Sequence, residues 1–375
     1  MILPEEFLRS LRRHGVEFFA GVPDSLLKEL CTCLTETLPP RRHVTAANEG
    51  TAVALAAGHH LATGRVPVVY LQNSGLGNAV NPLLSLTDPD VYGIPLLLVI
   101  GWRGEPGVHD EPQHAKQGRV LERMLEAMEI PFDVLGPQED DVDGRIARAV
   151  ESAVRRRAPH AFLVRAGTFA SLARPAALPP APEAMSREAV IEAILDVTGP
   201  RDVIVSTTGK ASRELYEARR RRGEGGRADF LTVGSMGHCS QIALGIALER
   251  SDRRVYCLDG DGAAIMHLGG LATIGLLGPA NLFHVLLNNG AHESVGGQST
   301  GALRLGWPEL ARAVGYAWAG SVSDAGGLRG ALEAMGSVPG PRLLETRIRT
   351  GSRPDLGRPS ASPRESRERF MESLG

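Results

Sequence analysis

The sequence predicts an α/β protein built from two doubly wound parallel-sheet domains. Three observations predict it. Strand-like and helix-like stretches alternate through the first half, and the same alternation restarts in the second. Between them lies Arg174-Pro-Ala-Ala-Leu-Pro-Pro-Ala-Pro-Glu183, four prolines with no hydrophobic periodicity. A chain of 375 residues has room for two domains of ordinary size. The expected boundaries are residues 1–172, a linker over 173–185, a second domain over 186–350 and a polar tail over 351–375.

In the first half, the strand candidates are 18–20, 43–45, 66–71, 95–101 and 160–165, runs rich in Val, Leu, Ile and Phe. Helix candidates cover 4–14, 25–34, 49–61 and 118–128. In the second half, helices are expected over 186–196, 241–249 and 266–276, and strands over 203–206, 230–233, 255–258, 281–287 and 343–348. From Arg349 onward the chain turns polar and reads as a frayed end.

Composition narrows the function classes. Hydrophobic residues make up 43% and charged residues 22% of the chain, the balance of a globular protein. A formal net charge of −2 leaves no electrostatic footprint for nucleic acid or an anionic membrane. No apolar run reaches membrane-spanning length, and residues 1–19 lack the apolar core of a signal peptide, so a cytoplasmic location is expected. Cys31, Cys33, Cys239 and Cys257 show no metal-ligand spacing and read as free thiols.

The stretch that carries the chemistry is Leu258-Asp-Gly-Asp-Gly-Ala263, answered by Leu287-Asn-Asn-Gly290. Gly260, Asp261 and Gly262 fall at the turn between a buried strand and a helix. Glycines there let backbone N–H groups approach phosphate oxygens, while Asp261 points at a hard cation. The next strand delivers Asn289 to the same sheet edge. A carboxylate, an amide oxygen and backbone carbonyls suit Mg2+ better than zinc. After Gly262 come 25 residues (263–287) and then Asn288-Asn289, the length of one βαβ crossover.

Gly-Asp-Gly followed at this distance by Asn-Asn resembles the thiamine-diphosphate fingerprint. Two further segments fit. In Ala47-Asn-Glu-Gly-Thr-Ala52, Glu49 heads a small-residue helix, which resembles the carboxylate set beside N1′ of the aminopyrimidine. Gly234-Ser-Met-Gly237 resembles the segment in which a backbone carbonyl accepts from the 4′-amino group and an apolar wedge holds the cofactor bent, roles that fall to Gly234 and Met236. The chain thus looks like a thiamine-diphosphate-dependent 2-oxoacid decarboxylase without the central third domain of its larger relatives. The resemblance makes residues 1–172 the pyrimidine-binding domain and 186–350 the diphosphate-binding domain.

Within that family the short layout resembles the phosphonopyruvate decarboxylases. The segments that carry the resemblance are Gly21-Val-Pro-Asp-Ser25, Gln72-Asn-Ser-Gly-Leu-Gly-Asn78, Asp110-Glu-Pro-Gln-His114, Gly234-Ser-Met-Gly-His238 and Asn288-Asn-Gly-Ala-His292. It implies decarboxylation of a small 2-oxoacid with a phosphonate head. The implied cofactor contacts are Glu49, Asn78, Thr208, Gly209, Gly234, Met236, Gly260, Asp261, Gly262, Ala263 and Asn289. The implied Mg2+ ligands are Asp261, Asn289 and the Ala291 carbonyl. Asp24, Ser25 and His114, with His109 less well placed, are the proton-transfer candidates beside Glu49, although Ser25 also reads as a helix N-cap.

A dianionic head calls for basic partners, and the candidates are Lys116, Lys210, Arg353 and Arg358; Arg103 lies in an unassigned loop and is no better placed. Lys210 is equally suited to the diphosphate. Two other readings stay open, a sulfopyruvate decarboxylase and a non-catalytic subunit of the same fold. The resemblance further implies a homo-oligomer whose sites lie at subunit interfaces.

Overall fold

The structure, a computed structural model, describes residues 1–172 and 184–375. Apart from Ala184 and Met185, the expected linker lies outside the described residues. The chain divides into two compact units, Met1–Ala176 with Ser294–Gln298, and Ala177–Glu293 with Ser299–Gly375.

The first unit holds strands β1 (Phe19–Gly21), β2 (His43–Thr45), β3 (Val68–Gln72), β4 (Leu97–Gly101), β5 (Phe132–Leu135) and β6 (His160–Val164). Its helices are α1 (Pro4–Arg13), α2 (Lys28–Thr37), α3 (Glu49–Thr63), α4 (Leu76–Leu83), α5 (Pro112–Ala127) and α6 (Val142–Arg156). The sheet is wholly parallel, in the order β2-β1-β3-β4-β6-β5. Period-2 alternation sends Val68 and Tyr70 into one apolar cluster and Val69 and Leu71 into another, so both faces are covered.

The second unit holds β7 (Val203–Ser206), β8 (Asp229–Leu231), β9 (Val255–Gly260), β10 (Leu282–Asn288), β11 (Trp318–Val322) and β12 (Arg342–Arg347). Its helices are α7 (Arg187–Val197), α8 (Lys210–Arg221), α9 (Cys239–Glu249), α10 (Asp261–Met266), α11 (Gly270–Leu277), α12 (Trp307–Ala313), α13 (Ala325–Gly336) and α14 (Pro363–Leu374). Its parallel sheet runs β11-β12-β10-β9-β7-β8. Counted from its own first strand and read from the other edge, that order is the same as in the first unit. Both units therefore reverse direction between their first and third strands, the place where open α/β sheets bind ligands at the strands' carboxyl ends.

Several sequence expectations need correction. The helix expected over 25–34 begins at Lys28 with Leu27 as its N-cap, so Ser25 caps nothing. The helix expected from Gly118 begins at Pro112, which puts His114 and Lys116 on α5 rather than in a loop. The helix expected over 266–276 starts at Asp261 itself and is interrupted before α11. The frayed tail instead contains α14, closed by a capping box between Ser362 and Glu365 with Pro363 at its first position. Phe370 anchors it, buried with its ring 5.4 Å from Phe230. Among the described residues, no helix is long and apolar enough to cross a membrane.

Candidate active site

In the first unit, the residues singled out by sequence follow the carboxyl ends of β1 to β4. Asn48 ends the link from β2 and caps α3, its side chain accepting the Thr51 N–H at 2.9 Å. Glu49 is thereby the first residue of α3, and it is buried. Its Oε2 accepts from Asn78 Nδ2 at 2.8 Å. Burial raises its carboxyl pKa, against the Asn78 bond and its own N–H. Gly75 makes room for it, since a Cβ there would lie 2.0 Å from Oε1. Asn78, expected on the cofactor, donates to Glu49 here.

Beyond β1, Asp24 is fully buried. Its Oδ2 accepts the Leu26 N–H at 2.9 Å, and its Oδ1 has no hydrogen-bond partner. Burial pushes its pKa up to about 6, against backbone N–H groups and the Arg103 charge. Gly101 at the end of β4 must be glycine, because a Cβ would sit 2.1 Å from Asp24 Oδ2. Ser25 Oγ accepts from Arg103 Nη1 at 2.7 Å.

Arg103 is the residue sequence reasoning set aside, and it joins this cluster together. Its Nε and Nη2 fork onto Asp110 at 2.8 and 2.5 Å. Asn73, after β3, grips its backbone through both amide atoms, at 2.7 and 3.2 Å. His114 is buried on α5 with Nδ1 unpartnered, its pKa lowered by burial and by Arg103. Lys116 and His109 are exposed. Arg103 carried no local signal, since Ser25 and Asn73, two of its partners, lie on other loops.

In the second unit the same strand ends are occupied. After β7, Gly209 takes φ 96°, ψ −136°, a conformation for glycine alone, and α8 begins at Lys210. Thr208 Oγ1 accepts the Gly234 N–H at 3.0 Å, tying this turn to the one after β8. There Gly234, Ser235 and Gly237 all have positive φ (71°, 47° and 87°), which fixes half-buried Met236 between them. A serine in that region is strained, and such strain concentrates at functional turns. A Cβ on Gly237 would meet His267 at 2.5 Å and the Ala263 carbonyl at 3.1 Å, so this turn packs against α10.

Asp261, after β9, heads α10 and is buried. Its Oδ2 accepts the Thr300 hydroxyl at 2.5 Å. Burial raises its pKa, against Thr300 and the backbone N–H groups of Gly262 and Asn289. No cation stands among those partners. A Cβ on Gly262 would lie 2.9 Å from His292, whose own pKa burial lowers to about 4. Asn289, after β10, accepts the Ala291 N–H at 3.0 Å and donates to Glu293 at 2.9 Å.

Glu293, another residue the sequence did not flag, also takes Lys210 Nζ at 2.7 Å and Arg187 Nη1 at 3.2 Å. Burial opposes its ionisation, but Lys210 and Arg187 hold its pKa below the usual range. Lys210 is therefore tied to the Asn289 loop. Arg353 is drawn to Glu188, Asp355 and Glu217 at 2.9, 3.1 and 3.5 Å, and Arg358 is exposed.

These donors fit the groups the fingerprint implies. Asp261, the Asn289 amide oxygen and the Ala291 carbonyl are all hard oxygens, and a buried carboxylate without a cation is what Mg2+ would complete. Glu49, with no basic partner and a glycine facing it, offers a buried carboxyl to a ring nitrogen.

Two family models match the chain: "Thiamine pyrophosphate enzyme, N-terminal TPP binding domain" over residues 2–125 and "Thiamine pyrophosphate enzyme, C-terminal TPP binding domain" over residues 207–346. The phosphonopyruvate decarboxylases of Streptomyces hygroscopicus and Streptomyces viridochromogenes are each 37% identical over 99% of this chain and 94% of their own length. The sulfopyruvate decarboxylase of Methanosarcina acetivorans is 29% identical over 100% of this chain and 98% of its own. The fingerprint, the doubled topology and this end-to-end similarity agree, and the chain belongs to the phosphonopyruvate decarboxylase family of thiamine pyrophosphate enzymes.

Proposed function

We propose that this protein converts 3-phosphonopyruvate to phosphonoacetaldehyde and CO2, using thiamine diphosphate and Mg2+. The observation that carries the chemistry is Glu49, a buried carboxyl at the head of α3 with Asn78 as its side-chain partner and its pKa raised. The choice of a phosphonate over a sulfonate head follows the higher identity to the Streptomyces enzymes.

Thiamine diphosphate, when bound, supplies the electron sink for the pair released as CO2 leaves. The chain's own residues do the rest. Glu49 would exchange a proton with the aminopyrimidine nitrogen, and burial, which raises its pKa, favours the protonated carboxyl. Asp261, Asn289 and the Ala291 carbonyl would hold Mg2+, and Gly234 and Met236 would position the aminopyrimidine. Asp24, with a pKa near 6, retains a proton at its unpartnered oxygen over part of the working range and is the donor proposed for the product carbon. His114 and Ser25 order the same end, and Lys116, Lys210, Arg353 and Arg358 remain the basic candidates for the head group.

We further propose a cytoplasmic homo-oligomer with the site completed across an interface. The deciding experiment is CO2 release from phosphonopyruvate, sulfopyruvate and pyruvate side by side, with cofactor and Mg2+ present or omitted. Preference for phosphonopyruvate that vanishes without cofactor is expected. Preference for sulfopyruvate would move the substrate and keep the residues. No release from any of the three, with cofactor bound, would overturn the reading.

A further inference from the structure

Glu293 stands where four donors of the second unit converge. Its Oε1 accepts Lys210 Nζ at 2.7 Å and the Gly351 N–H at 3.1 Å. Its Oε2 accepts Asn289 Nδ2 at 2.9 Å and Arg187 Nη1 at 3.2 Å. Arg187 is also forked onto Glu214 at 2.6 and 2.9 Å. Gly351 belongs to the stretch that reads as a frayed end in sequence, yet Arg213 fastens that stretch by donating to the Leu356 and Gly357 carbonyls.

Donors on both oxygens call for a carboxylate, which accepts at either end. An amide of the same shape must turn its NH2 toward one of the two pairs. The carboxylate also decides which way the Asn289 amide points. Its NH2 must face Glu293, so Oδ1 lies on the other side, where it accepts the Ala291 N–H at 3.0 Å. The Asn289 backbone N–H bonds the Asp261 carboxylate, which brings the fixed amide beside the other proposed Mg2+ ligand. Asn288 is held in the same manner. Its Nδ2 donates to buried Glu345 at 2.7 Å, and its Oδ1 accepts the Gly290 N–H at 3.1 Å.

We propose, building on the Mg2+ site inferred above, that Glu293 is the positioning residue that keeps the amide oxygen of Asn289, rather than its NH2, available to the divalent ion. Partners behind a metal ligand set its orientation, and losing one typically costs about 10- to 100-fold in metal affinity. Glu293→Gln has a single oxygen to share. Arg187 keeps Glu214, so that oxygen stays with Lys210 and the new NH2 faces Asn289. The Asn289 amide then turns over and offers NH2 where the oxygen was.

The test is Mn2+ binding to the full chain with thiamine diphosphate, read from the electron paramagnetic resonance of free Mn2+, with no turnover involved. Wild type should take up Mn2+, and Asp261→Ala should abolish uptake. Glu293→Gln should raise the Mn2+ Kd about 10- to 100-fold. Asn289→Asp carries oxygen at both ends, so in that background Glu293→Gln should cost nothing or tighten binding. A folded Glu293→Gln protein with wild-type Mn2+ affinity would overturn the proposal. So would an equal loss in both backgrounds, since Glu293 would then act independently of the amide's direction. Should Glu293→Gln not fold, Glu293→Asp takes its place. It keeps the charge beside Lys210 and Arg187 but falls a methylene short of Asn289, and unchanged affinity there would equally overturn the proposal. Wild-type protein that takes up no Mn2+ would remove the metal site itself and this role with it, whereas uptake lost only in Asp261→Ala would keep the site and remove Glu293.

Discussion

Asp24 is fully buried, and the arginine nearest in charge, Arg103, is forked onto Asp110 and bonded to Ser25. Burial raises its pKa from 3.8 to about 6, the backbone N–H groups and Arg103 offsetting only part. Between those two values the folded chain keeps a proton that the unfolded chain has lost. Stability from this group is therefore full below pH 3.8 and is lost as pH rises through about 6. A shift of about 2 units at about 1.4 kcal/mol each amounts to about 3 kcal/mol, of which about half is lost between pH 5 and pH 8. Asp24→Asn keeps an acceptor for the Leu26 N–H and removes the ionisation. Urea denaturation of both proteins at pH 5 and pH 8 should show the wild type losing about 1.5 kcal/mol more than the variant across that range. His43 and His292, both lowered to about 4 by burial, titrate in each protein and cancel in the difference. Parallel pH dependences would refute the assignment of a retained proton to Asp24.

The other predictions are shorter. Glu49→Gln should retain thiamine diphosphate, read by calorimetry, while turnover falls at least about 10²-fold; retained activity would remove Glu49 from the chemistry. Asp261→Ala should abolish the rise in melting temperature that Mg2+ and cofactor give the wild type, because ligand stabilisation disappears with the ligand. Gly75→Ala puts a methyl 2.0 Å from Glu49 Oε1, and the carboxyl end of a flexible side chain must yield. Its fold should survive by circular dichroism while kcat drops about 10²-fold, the cost of misplacing a reacting group by about 1 Å. Phe370→Ala should lower stability by about 3 kcal/mol in a thermal melt, since it removes the aromatic anchor of α14 against Phe230.

What the sequence made legible and what it hid divide by range. Glu49, Asp261 and Asn289 announce themselves locally, because each follows a strand, buried in the case of β9 and β10, and sits among the glycines or small residues such a turn needs. Arg103 and Glu293 carry no such context. Arg103 meets Ser25 from 78 positions away and Asn73 from 30, and Glu293 meets Arg187 from 106. Helix α8 went unread because its buried face is Ala211, Ser212, Glu214, Leu215 and Ala218, a stripe with a single large apolar side chain. The end of the chain is different. Ser362, Pro363 and Glu365 spell a helix start, and polar composition masked it.

The buried carboxylates sort themselves by the company they keep. Glu214 is forked by Arg187 at 2.6 and 2.9 Å, and Asp229 by Arg219 at 2.8 and 3.0 Å. Burial raises the pKa of both, yet each has a guanidinium whose charge opposes that rise, as expected of an ion pair that serves structure. Glu49 and Asp261 are buried with their pKa raised in the same way, but an amide, a hydroxyl and backbone N–H groups are what oppose it. Leaving an interior carboxylate without a bonded cation is a costly local departure from the ion pairing seen at Glu214 and Asp229. Such departures persist where a ligand completes the charge. Glu49 follows the edge strand β2 and Asp261 follows β9 beside the switch in sheet order, and the proposed function gives each the group that would finish it: a ring nitrogen for Glu49 and a divalent cation for Asp261.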